Sequence, residues 1–555
     1  MDENPTSTQN KILCLFTGLA VLINFSGLFI PIEGPDAAIY ALISKTMVQH
    51  NDYVQLFYQG KDWLDKPHFP FWITAFSFKL FGFTTWAYKL PGILFLMMGA
   101  FYTWLFAKEL YNKQIATWSV LILLTAEHIV LSNNDVRAEP YLTGLIIAAV
   151  YHFYKAHTRN NFWQLFWGCI FTACAIMTKG MFALVPIGGA IAGQLIITRQ
   201  WLQLINLRWL IAAVLILIFI LPELWCLYQQ FDLHPEKVVF GQRGVSGIRF
   251  FFWESQFGRF FNTGPIKGSG DPTFFVHTTL WAFLPWSLIM FAAVFRFIKK
   301  GIKYPKSKEW YCISGALLTF LLFSASSFQL PHYLNIVFPF FAIITAQYLY
   351  YISSPKTIRA IAVIQTIIIC LLLLLVIALQ YFFRPAVLSL YTILTLVMLF
   401  VMLVFFTRFF KFSRYQKIAM RTLLASFIVN LYLNLSFYPS LMQYQSASEA
   451  AFWINHHNNS NLPVTLTGID DYNVAPFEFY NNSPVVNTNG KFTHLLKPFL
   501  LYGSINEIKM LDAKGFHTQI LASFKLYRIT RLQFSFLNVN TRNGELTNMV
   551  VAEVK

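Results

Sequence analysis

The sequence predicts a multi-pass α-helical integral membrane protein with a small mixed α/β domain at its C-terminal end. Three observations predict this. Of 555 residues, 56% are hydrophobic and 12% charged; a soluble domain carries about 25% charged residues, so too little polar surface exists to solvate a globule. The apolar residues fall in long unbroken blocks, which marks lipid as their solvent. After about Pro439 the chain turns polar and Asn-rich, with no further block long enough to span.

In order along the chain, spanning segments are expected near 12–32, 88–107, 115–132, 140–156, 163–178, 181–198, 208–228, 275–297, 311–328, 333–352, 358–381, 387–407 and 420–439. That makes about 13 transmembrane helices of roughly 17–25 residues. The stretch 68–84 is apolar but short and aromatic, and reads as an interfacial or re-entrant helix or as one more span. Residues 1–439 then form a membrane domain with long loops at 33–87 and 229–274, and 440–555 a soluble domain. Within the latter, Ser446–Ile454 and Ile505–Leu511 read as helices, and Val464–Thr467 and Ala522–Ile529 as strands. The first apolar block, from Leu13, is long enough to span and is followed by no small-residue cleavage site, so it is read as a retained helix.

Orientation follows from the short loops. One alternating set carries Lys108 and Lys113; Lys155 and Arg159; Arg199 and Arg208; Arg296, Lys299, Lys300, Lys303, Lys306 and Lys308; Lys356 and Arg359; and Arg408, Lys411, Arg414, Lys417 and Arg421. This face is expected to be cytoplasmic, which puts the other loops and the C-terminal domain outside the bacterial inner membrane. The net charge of +17 sits in these loops, between apolar blocks. That excludes nucleic acid and favours membrane lipid and phosphate-bearing substrates as partners. The six cysteines lie in or beside apolar blocks without metal-ligand spacing and read as small buried hydrophobes.

The opposite face gathers ionisable residues at helix ends. GPDAAIYALISKTM holds Asp36 just after Glu33; KDWLDKPHFPFW holds Asp65, Lys66 and His68; NNDVRAEPY holds Asp135, Arg137 and Glu139; MTKGM holds Lys179. The loop 229–274 adds Arg243, Arg249, Glu254, Arg259 and Lys267, and SSFQLPHY adds Gln329, His332 and Tyr333. Singly, each has a plain explanation. A carboxylate outside a span is solvated, Asp135, Arg137 and Glu139 form a local ion-pair cluster, Lys179 snorkels to headgroups, and His332 is an interfacial histidine. Together they come from at least four separated segments that end on one side. A transporter is expected instead to bury polar groups near the midplane in broken helices, and these spans read as apolar through their middles.

At these residues the chain resembles the GT-C class of membrane glycosyltransferases, the superfamily of protein O-mannosyltransferases and aminoarabinose (lipid A) transferases, over roughly residues 10–345. PDAAIYALISKTM is similar to the first-loop acidic motif, with Ala37 where a second acidic residue is common. DWLDKPHFPFW is similar to an acidic-Lys-Pro motif, with Asp65 for the usual Glu, and NDVRAEPYLTG to an Arg-acidic motif, with Glu139 for the usual Asp. MTKG, WESQFGRF and SSFQLPHYLNIVFPFFA are similar to the remaining motifs in order, with Gln329 for a Lys. The resemblance implies an inverting glycosyltransferase that moves a sugar from a polyprenyl-phosphate donor to a lipid, glycan or protein acceptor. It assigns Asp36 and Glu139 as catalytic and Lys66, Arg137, Lys179 and Arg259 as donor-phosphate ligands. Asp65, Asp135, Glu254, His332 and Tyr333 support them, and a divalent metal at Asp65 is implied for some members. The residue chemistry suits this: a phosphate leaving group needs cations rather than an acid, and a carboxylate can take the proton of the acceptor. A lipid or polysaccharide transporter, and a membrane-anchored binding protein working through 440–555, are the alternatives.

Overall fold

The computed structural model describes residues 7–303, 309–409, 412–483, 485–486 and 497–555; Lys306, Lys308 and Lys411 of the basic loops lie outside them. Eight helices build the first third of the chain: α1 (Ser7–Phe25), α2 (Pro35–His50), α3 (Phe69–Phe81), α4 (Thr85–Leu110), α5 (Lys113–Leu124), α6 (Glu127–Asn134), α7 (Ala138–Arg159) and α8 (Phe162–Lys179). Their ends follow local chemistry. Thr84, Asn112 and Asn161 accept from the backbone N–H groups of Ala87, Ile115 and Gln164 as N-caps of α4, α5 and α8. Helix α2 starts at Pro35 and ends at Asn51, which is left-handed at φ 52. Helices α4 and α7 approach so closely that a Cβ on Gly144 would lie 2.1 Å from the carbonyl oxygen of Phe95, the small-residue contact that lets membrane helices pack.

Every apolar stretch expected to span is helical, but several are interrupted. The stretch 115–132 is split into α5 and α6, bent by 51°. Groups at the break are met by neighbours: Thr125 donates to Leu121 O at 2.6 Å and accepts from Trp286 at 3.0 Å, and Ser426 donates to Thr125 O at 3.1 Å. Polar partners of this kind are what allow a broken helix in lipid. The stretch 208–228 breaks between Leu207–Phe219 and Leu221–Leu227, and 275–297 between Phe274–Ala282 and Ser287–Lys303. Among the described residues, six helices are long and apolar enough to cross a membrane by themselves, or seven with the bent pair counted as one. The expected count of about 13 is therefore not reached by single unbroken helices. The stretch 68–84 is the short helix α3. Burial divides the spans: 83% of the Pro331–Tyr351 window is enclosed, against 6% for Trp201–Phe219, which presents Leu210, Val214, Leu217 and Ile218 outward, as a lipid-facing helix does.

Outside the helices, two hairpins form in the long loops, β1–β2 (Phe57–Tyr58, Lys61–Asp62) and β3–β4 (Val238–Val239, Gln242–Arg243). The C-terminal part folds as a five-stranded sheet of β5 (Val464–Thr467), β6 (Val485–Val486), β7 (Phe499–Ser504), β8 (Thr518–Leu526) and β9 (Thr547–Val554), in the order β6-β5-β7-β9-β8. The first three are parallel; β7, β9 and β8 are antiparallel. Helices Ser446–His457, Asp471–Tyr480 and Ile505–Ala513 accompany it. The strand expected at 522–529 is displaced. It starts earlier and ends at Leu526, because Tyr527 leaves the ladder to bond Tyr444 O at 3.0 Å and stack on Phe536 at 3.6 Å.

Candidate active site

The site is built at the helix ends on one face. Gly34, with φ 78, turns the chain into Pro35, so that Asp36 occupies the first turn of α2. Only glycine takes that backbone angle without strain. Asp135 closes α6 and Arg137 precedes α7, whose first turn carries Glu139. Lys179 ends α8, and Gly180, at φ 96, follows; a Cβ there would lie 2.1 Å from the side chain of Gln256. Arg259 closes the π-type helix Phe250–Gly258, and His332 and Tyr333 sit on the 3-10 turn Pro331–Val337.

These residues meet. A cavity of about 140 Å³ is lined by Asp36, Tyr40, Trp63, Asp65, Lys66, Arg137, Glu139, Lys179, Arg259, Phe328, His332 and Tyr333. Arg137 bridges two carboxylates: Nη1 donates to Asp36 Oδ2 at 2.6 Å and Nε to Asp135 Oδ2 at 2.8 Å. Asp36 is 47% exposed, and among the described residues its other oxygen carries no hydrogen bond. Asp65 accepts from Lys66 at 2.6 Å through Oδ2 and from Arg259 through Oδ1. Lys179 is paired with Glu139, lies 3.5 Å from the centre of the Tyr333 ring, and shares Glu139 with His332 at 3.8 Å.

A second cavity of about 80 Å³ adjoins the first. Lys66, Lys179 and Arg259 border both, whereas Asp36 and Arg137 border only the polar one. The second is walled by Leu142, Phe182, Phe260, Phe323 and Ile336. Asp65 also borders both, so the pair of cavities runs from the polar side of Asp36, Arg137 and Glu139, past Asp65 and the three cations, to a mainly apolar wall.

Electrostatics keep the loop residues in their roles. Burial alone would raise the Asp65 carboxyl, but Lys66 and Arg259 outweigh it and hold it down to about 2. Burial lowers the Lys66 ammonium, and Arg259 adds to that while Asp65 resists it. Burial raises Asp135 against the pull of Arg137. The Arg137 guanidinium loses by burial and gains more from Asp135 and Asp36, so it is held firmly charged.

Other charged residues of this face lie outside the cavity. Glu254 lies outside the cavity and pairs with the exposed Arg249 at 3.3 Å. It sits two residues from the inward-facing Gln256, and residues two apart on a helix point to different sides. Arg243, on the β4 strand, is exposed and is not among the residues that line the cavity. Polar side chains near helix starts are met by partners inside the bundle. Lys89, fully buried, donates to Gly27 O at 3.2 Å and Ile30 O at 2.7 Å, and Asn430 donates to Glu127 at 3.3 Å near the α5–α6 break. Asp135 stands behind Arg137 rather than in the lining. Gln329 braces its own loop, donating to Phe323 O and Ser324 O and accepting from Asp271 N at 2.9 Å. His68 is likewise a brace, buried between Glu223 at 3.1 Å and Val54 O at 3.0 Å.

Tyr40, Trp63, Gln256 and Phe328 were not singled out from the sequence. Tyr40 is one turn after Asp36, so helical spacing alone places it on the same face. Gln256 carried no such signal: its amide donates to Lys179 O at 3.1 Å and accepts from Phe182 N at 3.2 Å, a contact between distant segments. Cations surround Asp65. Both of its oxygens are taken by cations, and among the described residues no three of His, Cys, Asp and Glu gather as ligands.

A family model described as dolichyl-phosphate-mannose-protein mannosyltransferase matches residues 65–226. An uncharacterised protein of Aquifex aeolicus is 24% identical over 395 residues, 70% of this chain and 73% of that protein. An undecaprenyl phosphate-α-4-amino-4-deoxy-L-arabinose arabinosyl transferase of Edwardsiella ictaluri is 26% identical over 352 residues, 61% of this chain. The match spans 60% of that transferase's own length. The crystal structure of ArnT from Cupriavidus metallidurans bound to undecaprenyl phosphate superposes with a TM-score of 0.70 at 17% identity, covering 98% of both chains. In fold, then, this chain is similar to ArnT along its whole length, and its residues 65–226, which carry the Asp65, Arg137 and Lys179 motifs, match the mannosyltransferase family model.

Proposed function

We propose that this protein is an inverting glycosyltransferase that moves a sugar from a polyprenyl-phosphate donor to a lipid, glycan or protein acceptor at the outer face of the bacterial inner membrane. The observation that carries this reading is the pair of adjoining cavities. A phosphate held where they join, by Lys66, Lys179 and Arg259, directs a prenyl chain against Phe182, Phe260 and Phe323 and its sugar toward Asp36. The bound undecaprenyl phosphate of the Cupriavidus structure and the names of the arabinosyl transferases support the donor class.

The chemistry then follows from the side chains. The glycosyl–oxygen bond of the donor breaks, and the polyprenyl phosphate leaves with the electron pair. The cations stabilise that charge. Asp36, with one oxygen tethered by Arg137, orients the acceptor hydroxyl and takes its proton as the new glycosidic bond forms. Glu139 keeps Lys179 placed and charged.

Purified protein in proteoliposomes, given a radiolabelled polyprenyl-phosphate sugar and an acceptor lipid, is expected to release free polyprenyl phosphate. Asp36→Asn is expected to lower that release by about 10²- to 10⁴-fold while extraction and gel-filtration behaviour stay unchanged. Undiminished activity in the variant removes Asp36 from the mechanism. Movement of intact donor across the bilayer, with no release, favours the transporter instead.

A further inference from the structure

Asp36 rides on a segment that the C-terminal domain grips on both sides. Before it, the backbone of Ile32 is taken at both ends. Its N–H donates to the Tyr480 hydroxyl at 2.7 Å, and its carbonyl accepts from the Gln445 amide at 3.0 Å. Ile32 is fully buried and lies in the irregular turn between α1 and α2. Here the chain has no helical partners of its own, and a buried backbone group without one is costly. After Asp36, Lys45 on α2 reaches the same domain. Its ammonium donates to Glu478 O at 3.2 Å, Phe479 O at 2.8 Å and Asn481 O at 3.2 Å. These carbonyls close the helix Asp471–Tyr480, where unpaired C=O groups and the negative end of the helix dipole attract a cation. Lys45 is only 7% exposed, which makes this an interior joint rather than a surface contact.

The two grips are four residues before and nine residues after Asp36. Between them only Gly34–Pro35 and the first turns of α2 set where the carboxylate stands, and Arg137 must find it at 2.6 Å. Tyr480 belongs to both grips: its hydroxyl also pairs with Thr85 of α4 at 2.9 Å, and its own helix end is what Lys45 caps. One residue of the soluble domain thereby ties the turn before α2 to the start of α4.

We propose that the C-terminal domain is a positioning clamp for the reacting carboxylate, with Tyr480 and Lys45 as positioning residues that set Asp36 against Arg137. The domain is in this view part of the transfer machinery, not an appendage. The proposal rests on the transferase reading of the same site. Neither residue lines the cavity, so neither is a catalytic residue.

The test uses the full-length protein in nanodiscs with two readouts. Tyr480→Phe removes one hydroxyl and keeps the ring. It is expected to speed hydrogen–deuterium exchange in the peptide covering residues 31–36 and to lower kcat about tenfold, with KM for the polyprenyl-phosphate sugar and the melting temperature unchanged. A loss of alignment of this size is ordinary for a site set to a fraction of an ångström. Lys45→Met is expected to do the same, and Lys45→Arg to restore most of the rate. Unchanged exchange, or faster exchange with unchanged kcat, overturns the clamp. A rise in KM alone, or a loss of rate that tracks a loss of melting temperature, also overturns it in favour of a purely structural role. A wild-type protein that transfers no sugar overturns the transferase reading instead, and the exchange readout then decides by itself whether the segment is gripped.

Discussion

Arg137 is the residue on which most of the site's geometry depends, because one guanidinium holds Asp36 and Asp135 together. Its planar fork can serve two carboxylates at fixed angles, and a lysine ammonium cannot reproduce that. Arg137→Lys is therefore expected to cut transfer by about 10²-fold with little change in expression, measured in the release assay. Glu139 and Lys179 are coupled differently, since Glu139 is 2% exposed. Lys179→Met strands that carboxylate and is expected to cost about 3 kcal/mol or more in stability. The double variant Lys179→Met/Glu139→Gln should regain most of the melting temperature and none of the activity. Glu33 adds a pH signature. Burial first, and Asp135 next, raise its carboxyl to about 7 from 4.5, against the pull of Lys89 and Arg137. A raised folded-state value means that the folded protein holds the proton more tightly than the unfolded chain. The stability it contributes is thus full below about pH 4.5 and is lost as pH rises through about 7. Thermal scans should show the melting temperature falling between those values, and Glu33→Gln should flatten that part of the profile.

Among the elements, the ends of helices matter more than their middles. Helix α8 delivers Lys179 and then must turn at once. Gly180 makes that turn at φ 96 with Gln256 against its Cα. Gly180→Ala combines an unfavourable backbone angle with a side-chain clash and is expected to destabilise by about 1–3 kcal/mol. It should also lower activity, because Gln256 is the group that braces the Lys179 carbonyl. The α5–α6 bend has a related role. It ends the second half of a broken span at Asp135, two residues before Arg137. The helical character of these stretches was legible from apolar length alone. The breaks were not, since the partners that allow them, Trp286 and Ser426, come from remote parts of the chain.

For the whole molecule, the two ends of the helix bundle differ in kind. At one end the basic loops converge, with Lys155 on Glu109 at 2.6 Å and Arg208 on Asn160 at 2.7 Å. At the other lie the adjoining cavities and the C-terminal domain gripping α2. The excess of cations at the first end predicts that it faces the cytoplasm. In a cysteine-free background, Lys267→Cys is expected to react with a membrane-impermeant maleimide in spheroplasts, and Lys356→Cys only after lysis. The reverse pattern would place the site and the C-terminal domain on the cytoplasmic side. Of the candidate site residues, nine line the polar cavity; Asp135 stands one contact behind, and Glu254 turns away. The misplacement of Glu254 has a simple cause: loop 229–274 carries π-type turns and a short hairpin, whose facing cannot be read from a period of 3.6.

By itself the sequence determined the solvent, the helical class, the change of character near residue 440 and the gathering of charged helix ends on one face. Each of these rests on composition or on signals within a few residues, such as apolar length, Gly–Pro and Lys–Gly at helix ends, and loop charge. Only the tertiary structure decided which ion pairs form, which carboxylate keeps an open oxygen, how many helices cross unbroken, and that Tyr480 and Lys45 hold the chain on both sides of Asp36. Those depend on contacts between residues up to 448 positions apart, and no local pattern encodes a contact at that distance. It arises from how the whole chain buries its apolar surface while satisfying its buried polar groups.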